Sequence, residues 1–319
     1  MLFASWTFLS ASCFQTPLLA QTNFESLANS ASTKYQSRDF EGAIGDYTKL
    51  IERFPEKADL YYNRALARQD FRDYDGAVGD YSKAIQLDPK NAYAYNNRGN
   101  SRTAPKNHAN AIADFDKAVE LNPRYASAYF NRANAKRLLK GYAGAIADYN
   151  KCLEIDPKHA SAYEGLGFAQ YNLLQWRPAL ESFRKLRELN PTQDDYSRFR
   201  IWVLRTRLGE TEEATKELAS HVKSLQGADA NVWPAQIGRF LIGTLTEDEF
   251  LHIGERSGKT PEDKSGQICE ANYYAGVKRL LAGDKGKATI FFQKCLDTRE
   301  KNYDEYGSAE VELRALNNP

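Results

Sequence analysis

Prolines divide most of this chain at one fixed spacing. Five of them stand 34 residues apart, at Pro55, Pro89, Pro123, Pro157 and Pro191. Proline has no backbone N–H and disfavours the helical conformation in the residue before it, so each of these prolines is expected to end a helix. A helix end every 34 residues predicts a chain of repeated helical units, each packed on its neighbours, rather than one large globular core.

Three further columns of residues keep the same step. They are small residues early in each unit, alanines later in it, and aromatic residues four positions after those alanines: Ala31, Ala65, Gly99, Ala133 and Gly167; Ala43, Ala77, Ala111, Ala145 and Ala179; Tyr47, Tyr81, Phe115, Tyr149 and Phe183. Two antiparallel helices in each unit explain this order, because only glycine or alanine leaves room where two backbones cross closely. The aromatic side chain lies one turn after the alanine on the same helix face, and it is expected to fill the gap to the next unit.

This pattern resembles the tetratricopeptide repeat, whose period is 34 residues. The resemblance implies an all-α fold, a right-handed superhelical solenoid of helix-turn-helix repeats with a C-terminal capping helix. Five regular repeats are predicted over residues 24–193, namely 24–57, 58–91, 92–125, 126–159 and 160–193. Residues 194–225 are predicted to form a degenerate repeat, in which Gly209 and Ala214 keep their offset but the final proline is absent.

The last third of the chain leaves the period and then returns to it. Residues 226–268 are predicted to form an irregular helical pair, which Trp233-Pro234 opens and which continues after a capping box at Thr246 and Glu249. Residues 269–300 again show the repeat pattern. Residues 304–316 are predicted to form the capping helix that shields the end of the core.

The N-terminus has the pattern of an export signal. No charged side chain occurs before Glu25, and an apolar start leads to Leu18-Leu19-Ala20, which predicts a signal peptide over residues 1–20. The protein is therefore expected to be exported, to the periplasm or the cell envelope. Cys13, in Leu-Ser-Ala-Ser-Cys, is similar to the lipid-attachment cysteine of bacterial lipoproteins. A lipid anchor at Cys13 is one hypothesis, and removal of Cys13 with the signal peptide is the alternative.

A column of asparagines is not explained by packing. Asn29, Asn63, Asn97 and Asn131 share one position in the first helix of successive repeats, although asparagine is a poor helix former. A side-chain amide both donates and accepts, so it can pair with a peptide backbone of any sequence. The column resembles the asparagine ladder of the O-linked N-acetylglucosamine transferase array, which implies binding of an extended peptide in the concave groove. The alternative is that these amides bond the neighbouring repeat and specify its stacking.

Further side chains near the asparagine column are candidates for peptide specificity. They precede an asparagine by one residue or follow it by three, on the same helix face: Tyr62, Asn96, Phe130, Asn100 and Asn134. A separate column of arginines recurs beside a column of aspartates: Arg64, Arg98 and Arg132, with Asp46, Asp80, Asp114 and Asp148. Ion pairs between repeats are predicted from these two columns in preference to an anion site.

Two of the four cysteines are predicted to pair. Cys269 and Cys295 fall at the start of the first helix and late in the second helix of one repeat, which lie near each other in tetratricopeptide geometry, and export permits a disulfide. Cys152 replaces the usual alanine at a packed position, so it is predicted to be a buried apolar residue. No C-x-x-C pair occurs, so a zinc site is not expected.

Charge and motifs narrow the class of protein. The net charge is +1, from 43 basic and 42 acidic side chains, which argues against a nucleic-acid partner or a membrane-surface protein. The four histidines are scattered, and no phosphate loop or nucleophile elbow occurs. We therefore expect no catalysis, no cofactor and no metal, and a protein or peptide as the partner.

The last third is also similar to the C-terminal half of the NlpI-type lipoproteins. Trp233-Pro234, residues 237–243, the segment 269–276 and the turn Gly283-Asp284 carry this resemblance. It implies an envelope adaptor that scaffolds proteases and peptidoglycan hydrolases. The alternative is a structural assembly protein, whose repeats associate with themselves, for example as a homodimer, or fill a complex without an exchangeable ligand.

Overall fold

The computed structural model describes residues 15–103, 107–190, 195–225, 232–301 and 303–317, with side chains from Phe24 onward. Within those ranges every regular element is an α-helix, and there are 17 of them. The all-α prediction, with consecutive helices paired, is confirmed. The chain divides into two compact units, unit 1 (Met1–Leu139) and unit 2 (Lys140–Pro319). Residues 1–14, Cys13 among them, and residues 226–231 lie outside the described residues.

Unit 1 consists of paired helices in which each helix packs on the next along the chain. Its described helices are α1 (Gln15–Gln36), α2 (Phe40–Arg53), α3 (Ala58–Asp70), α4 (Tyr74–Leu87), α5 (Ala92–Thr103), α6 (His108–Leu121) and α7 (Ala126–Leu138). The odd-numbered helices are the first helices of their repeats, and α3 contacts α5 as α5 contacts α7. First helices therefore lie side by side, so residues one repeat apart become neighbours.

Unit 2 begins with the same pairing and ends with a packed group of longer and shorter helices. Its described helices are α8 (Tyr142–Ile155), α9 (Ala160–Asn172), α10 (Trp176–Leu189), α11 (Asp195–Arg207), α12 (Thr211–Ser224), α13 (Trp233–Leu241), α14 (Glu247–Arg256), α15 (Pro261–Leu281), α16 (Lys285–Asp297) and α17 (Asp304–Asn317). Helix α17 packs on α15 and α16 and also contacts α9. No helix of the described residues has the length and apolar character needed to cross a membrane.

The prolines of the fixed column follow the ends of second helices. The residue before each is a helix cap with φ between −128° and −135° and ψ between 62° and 90°, outside the helical region: Phe54, Asp88, Asn122 and Asp156. This is the conformation that proline imposes on its predecessor. The predicted helix ends at Pro55, Pro89, Pro123 and Pro157 are confirmed, whereas Pro191 lies outside the described residues.

Close contact between a small residue and an aromatic ring defines the crossing of the two helices within a repeat. A Cβ placed on Gly99 would lie 2.6 Å from the Phe115 ring, and one on Gly276 would lie 2.6 Å from the Phe292 ring. These distances are shorter than non-bonded carbon atoms tolerate, so the ring can pack here only because glycine has no side chain. Tyr149 reaches the next repeat, because its ring fills the space that a side chain at Gly165 would occupy. The predicted place of the small residues at the helix crossing is confirmed, and so is the predicted reach of the aromatic column to the next repeat at Tyr149, whereas Phe115 and Phe292 pack on the small residue of their own repeat.

A left-handed residue links the two helices of several repeats. Arg38, Arg72 and Leu174 have φ between 60° and 65°. In the second repeat the Arg72 N–H donates to the Gln69 carbonyl at 3.0 Å, and the Asp73 N–H donates to the Arg68 carbonyl at 2.8 Å, which closes α3. An Asp73 carboxylate oxygen then accepts from the Gly76 N–H at 3.0 Å and caps α4.

Replacing Arg72 by glycine is expected to stabilise the protein. A left-handed residue with a Cβ costs about 1–2 kcal/mol, more than the roughly 0.5–1 kcal/mol that glycine's greater freedom in the unfolded chain costs. We expect Arg72→Gly to raise the free energy of unfolding by about 0.5–1 kcal/mol, measured by urea denaturation. Arg72→Ala keeps the Cβ and serves as the control, with no gain expected. Equal stabilisation by both substitutions would contradict this account.

Candidate peptide-binding surface

The predicted ligand-contacting residues lie on the first helices of the repeats in unit 1. Asn29, Asn63, Asn97 and Asn131 occupy α1, α3, α5 and α7 in turn. Asn29 is exposed and the other three are half-buried. We call these four asparagines, with Tyr62, Asn96, Asn100, Phe130 and Asn134, the ladder surface. All of its members are partly exposed except Asn96, which is buried.

A chain of amide hydrogen bonds runs through the ladder surface. Asn131 Nδ2 donates to Asn96 Oδ1 at 3.0 Å, and Asn96 Nδ2 donates to Asn97 Oδ1 at 3.1 Å. Asn97 Nδ2 in turn donates to the Tyr62 hydroxyl at 3.0 Å. Burial raises the pKa of Tyr62 above its ordinary value, so this hydroxyl stays protonated at neutral pH. Because Tyr62, Asn97 and Asn131 belong to three successive repeats, these amides join repeats, as the stacking alternative requires.

Two half-buried amides of the ladder surface remain available to a ligand, in addition to the exposed amide of Asn29. The side chains of Asn63 and Asn100 have no hydrogen-bond partner among the described residues, although both are only partly exposed. The hydrogen bonds that join repeats span 35 positions, from Asn97 to Tyr62 and from Asn131 to Asn96. The residue 35 positions before Asn63 is Ala28, which has no polar group to offer. The Asn63 amide is therefore left with free donors and acceptors.

A pocket of about 280 Å³ lies beside Asn63. Phe24, Tyr35 and Tyr47 contribute aromatic walls, and Asp59 contributes a carboxylate. The Tyr35 hydroxyl donates to Asp70 at 2.6 Å. Burial, followed by this hydrogen bond to a carboxylate, raises the pKa of Tyr35 to about 12, so the walls of the pocket carry no phenolate charge at neutral pH.

Ion pairs join each of two first helices of the ladder surface, α3 and α5, to the second helix of the same repeat. Arg64 donates to Asp80 through Nε at 2.8 Å and Nη2 at 2.7 Å, and Arg98 Nη2 donates to Asp114 at 2.6 Å. Each pair joins the two helices of one repeat, so the prediction that these pairs lie between repeats was wrong. The reason is that each pair is 16 residues apart, which places both partners on opposite sides of the helix crossing.

The arginines reach the preceding repeat by other bonds. Arg64 Nη1 donates to the Thr48 hydroxyl at 3.0 Å, and Arg132 Nη1 forms an ion pair with Asp116 at 2.6 Å. In the first repeat, where Ser30 stands at the position of Arg64, Asp46 is bonded by Ser30, Lys34 and Lys49. Burial raises the pKa of Asp46, but the hydrogen bonds from Lys34, Ser30 and Lys49 outweigh it and lower the pKa to about 2.

Family models match parts of the chain that contain these helix pairs. The model described as TPR repeat matches residues 73–104 and 134–173, and the model described as tetratricopeptide repeat matches residues 92–125. The chain carries tetratricopeptide repeats. No curated protein matches it.

Solved tetratricopeptide structures resemble the chain at low sequence identity. A tetratricopeptide repeat protein from Parabacteroides merdae shares 17% identity at a TM-score of 0.55, over 93% of this chain and 100% of its own. PilF of Pseudomonas aeruginosa shares 21% at 0.56, over 68% and 96%. YrrB, described as a tetratricopeptide repeat protein with an unusual peptide-binding site, shares 22% at 0.50, over 56% and 91%. At such identities the likeness shows the fold alone.

The two cysteines predicted to pair lie together in the last tetratricopeptide-like helix pair. Cys269 on α15 and Cys295 on α16 are both buried, and their sulfur atoms are 2.7 Å apart as thiols. The hydrogen bond with Cys269, followed by burial, raises the pKa of Cys295. Cys152 is fully buried, which confirms its predicted apolar role, and burial raises the pKa of its thiol to about 11.

Oxidation is expected to join Cys269 to Cys295 and leave Cys152 as a thiol. Closing a loop of this length is worth about 3–4 kcal/mol of unfolding free energy on the chain-entropy account. Mass spectrometry of peptides from the non-reduced protein identifies the bond, and urea denaturation with and without reductant measures the gain. Cys152→Ser is the control and should not change the pairing. Recovery of both cysteines as free thiols after export into an oxidising compartment would refute the disulfide.

A buried cluster of charges in unit 2 was not predicted from the sequence. Arg200 on α11 is 1% exposed, and its guanidinium donates to Glu305 at 2.8 Å and to the Tyr273 hydroxyl at 2.8 Å. Glu312 accepts from Arg207 at 2.6 Å and from the Tyr171 hydroxyl. These bonds tie α17 to α9, α11 and α15. The sequence carries no periodic pattern that separates Arg200, Glu305 and Glu312 from the exposed charged residues of the same helices.

Glu270 belongs to the same cluster without touching either arginine. It accepts hydrogen bonds from Trp233 Nε1 and from the Tyr196 hydroxyl. The cluster has three buried carboxyls, Glu270, Glu305 and Glu312, against two guanidinium groups, and Glu305 and Glu312 are the two that accept from those guanidinium groups. Burial, followed by repulsion from Glu305, raises the pKa of Glu270 to about 8. In the described residues no three His, Cys, Asp or Glu side chains lie close enough together to hold a metal ion.

Glu270→Gln is expected to stabilise the protein increasingly as the pH rises. In the wild type, folding holds a proton on Glu270 that the unfolded chain releases above about pH 4.5, so stability is lost as the pH rises toward the folded pKa of about 8. Glutamine mimics the protonated acid and lacks this loss. We expect the stability difference between variant and wild type to grow by about 1–3 kcal/mol from pH 5.5 to pH 8, measured by urea denaturation. The exposed Glu255→Gln is the matched control. A difference independent of pH would show that Glu270 is ionised in the folded protein.

Proposed function

We propose that unit 1 is a non-enzymatic binding module that holds an extended segment of a partner protein along the ladder surface. The observation that carries the proposal is the pair of half-buried amides without a hydrogen-bond partner among the described residues, Asn63 and Asn100, the first of which lines a pocket of about 280 Å³. Half-buried amides without partners are costly in a folded protein unless a ligand or water satisfies them. An extended peptide offers an alternating series of N–H and C=O groups that can do so.

The ladder surface has a defined end within the sequence column. The asparagine position continues to residue 165 in α9, where the residue is glycine, and the position of Asn100 and Asn134 continues to Phe168. The structure buries these two residues within unit 2, together with Tyr171, which lies one turn further along α9. Tyr171 bonds Tyr273 of α15 and Glu312 of α17, so this part of α9 is covered by the chain itself. The asparagine column therefore offers no open position on α9, and the proposal assigns the ligand to the ladder surface of unit 1 alone.

The finer role that we propose is that of an exported adaptor in the cell envelope. The uncharged N-terminal stretch before Glu25 and the adjacent thiols of Cys269 and Cys295 support export. The similarity of the last third to the NlpI-type lipoproteins supports proteases or peptidoglycan hydrolases as partners. The peptide-binding site of YrrB, a protein of similar fold, supports a peptide-binding mode.

Selection of peptides on the full chain tests the proposal. A displayed library of random 12-residue peptides is panned on the wild type, and recovered peptides are measured by fluorescence anisotropy. The double variant Asn63→Ala/Asn100→Ala is expected to bind them about tenfold more weakly or worse, because each lost amide pair contributes about 0.5–1.5 kcal/mol. Asn110→Ala changes an exposed amide on α6, outside the ladder surface, and should bind as the wild type does.

Two outcomes of the peptide selection would contradict the proposal. Peptides that bind the double variant and the wild type equally would move the binding surface away from Asn63 and Asn100. Failure to recover any peptide, with the protein oligomeric by light scattering, would favour the alternative of a self-associating structural protein.

A further inference from the structure

The pocket beside Asn63 exists because two columns change to small side chains on α1. Ala28 stands where later repeats carry Tyr62, Asn96 and Phe130, and Ser32 stands where the second repeat carries Leu66. A larger residue at either position would extend into the space that is open here. The same alanine deprives Asn63 of the partner that Tyr62 provides to Asn97. One replacement therefore produces both the cavity and the free amide at its edge.

The walls of the pocket suit a bulky apolar side chain. Phe24, Tyr35 and Tyr47 lie around it with Leu60 and Leu66. The Phe24 ring is fixed by edge-to-face contact with Phe54, with ring centroids 5.0 Å apart. The volume of about 280 Å³ is just below that of pockets that enclose whole drug-sized ligands, which start at roughly 300 Å³. It is therefore suited to one large side chain entering from a bound backbone.

The charge at the pocket favours a basic neighbour for that side chain. Asp59 lines the pocket, is exposed, and has no ion pair or hydrogen bond to its side chain among the described residues. Among the residues that the structure describes, no lysine or arginine lines the pocket. Lys57 is nearby, but its ammonium lies 5.2 Å from the centroid of the Phe24 ring and does not line the cavity. The lining thus combines aromatic faces and one unpaired carboxylate, both of which attract a cation.

We propose that this pocket is a specificity subsite for a large apolar residue, aromatic or branched aliphatic, with a lysine or arginine within two positions of it in the bound segment. The subsite rests on the proposed function, since the Asn63 amide holds the backbone from which the side chain enters. The apolar residue fills the space left by Ala28 and Ser32, and the cation pairs with Asp59. The pocket then recognises two side chains of the ligand, while the amides of the ladder surface bind its backbone whatever its sequence.

Filling the pocket with the protein's own side chains tests the subsite. Ala28→Tyr introduces the residue that the next repeat carries in the same column, and Ser32→Leu does so for the second column. Ser32→Leu fills the pocket without offering a hydrogen bond to Asn63, so the two effects of Ala28 are separated. Ala109→Tyr, at an exposed position of α6, is the matched control. Circular dichroism and thermal melting identify which variants fold, and either filled variant suffices.

The random 12-residue library is panned on the full-length wild type and on each variant, and the selected sequences are compared. We expect the wild type and Ala109→Tyr to enrich a large apolar residue beside a lysine or arginine, and both filled variants to lose that preference. A peptide selected on the wild type should bind the filled variants at least tenfold more weakly. Asp59→Asn should reduce its affinity about threefold to tenfold at low salt and little at high salt, whereas Asp75→Asn, in the first turn of α4, should have no effect.

The outcomes separate the subsite from the proposed function. Peptides that depend on Asn63 and Asn100 but are selected with the same sequences by the filled variants would overturn the subsite alone. Enrichment of acidic residues, or affinity unchanged in Asp59→Asn, would overturn the basic neighbour. Failure of the wild type to select any peptide would overturn the subsite together with the proposed function.

Discussion

The contact between a small residue on the first helix and an aromatic ring on the second is the constraint on which the rest of the protein depends. It recurs between Gly99 and Phe115, Gly167 and Phe183, and Gly276 and Phe292, in both units. Because the ring packs directly on the backbone of the first helix, the contact fixes the distance between the two helices. Every repeat with this contact therefore has a similar helix crossing. Successive repeats can then stack in register, and side chains one repeat apart face each other. A binding surface on such a stack is a set of columns, each of which can change without disturbing the crossing.

The ladder surface shows how one column change alters both shape and chemistry. Where the preceding repeat offers Tyr62 or Asn96, the asparagine amide is bonded within the protein. Where it offers Ala28, the amide of Asn63 is unbonded and a cavity opens beside it. Where the column reaches Gly165, the ring of Tyr149 occupies the space and the ladder ends. The same helical position is thus structural in two repeats, open to a ligand in another, and closed in a fourth.

The features that could be predicted from the sequence are those whose interacting residues lie within one repeat. Helix ends at prolines and the need for a small residue at the helix crossing depend on residues within one repeat, and they were predicted correctly, whereas the packing of Phe115 on Gly99 of its own repeat was not predicted. The division of the asparagines into bonded and unbonded ones depends on the residue 35 positions earlier, so the column alone left stacking and peptide binding as alternatives. The pairing of Arg64 with Asp80 was placed between repeats because periodicity shows that two columns exist without showing which members face each other.

The charged cluster of unit 2 was beyond prediction because it obeys no period. Arg200 meets Glu305 across 105 residues, and Tyr171 meets Glu312 across 141. Removing two such charges from water costs much of what their attraction returns, so a pair of this kind sets register more than it adds stability. A purely apolar α17 could settle on α9, α11 and α15 in several positions, whereas Arg200 and Arg207 accept only the one that delivers Glu305 and Glu312 to them. The unbonded amides of unit 1 and the covered face of α9 therefore represent two ways of satisfying the first helix of a repeat. Each first helix has polar or aromatic positions that its own repeat does not satisfy, and these are met either by a fixed helix of the chain or, as we propose for the ladder surface, by an exchangeable segment of a partner.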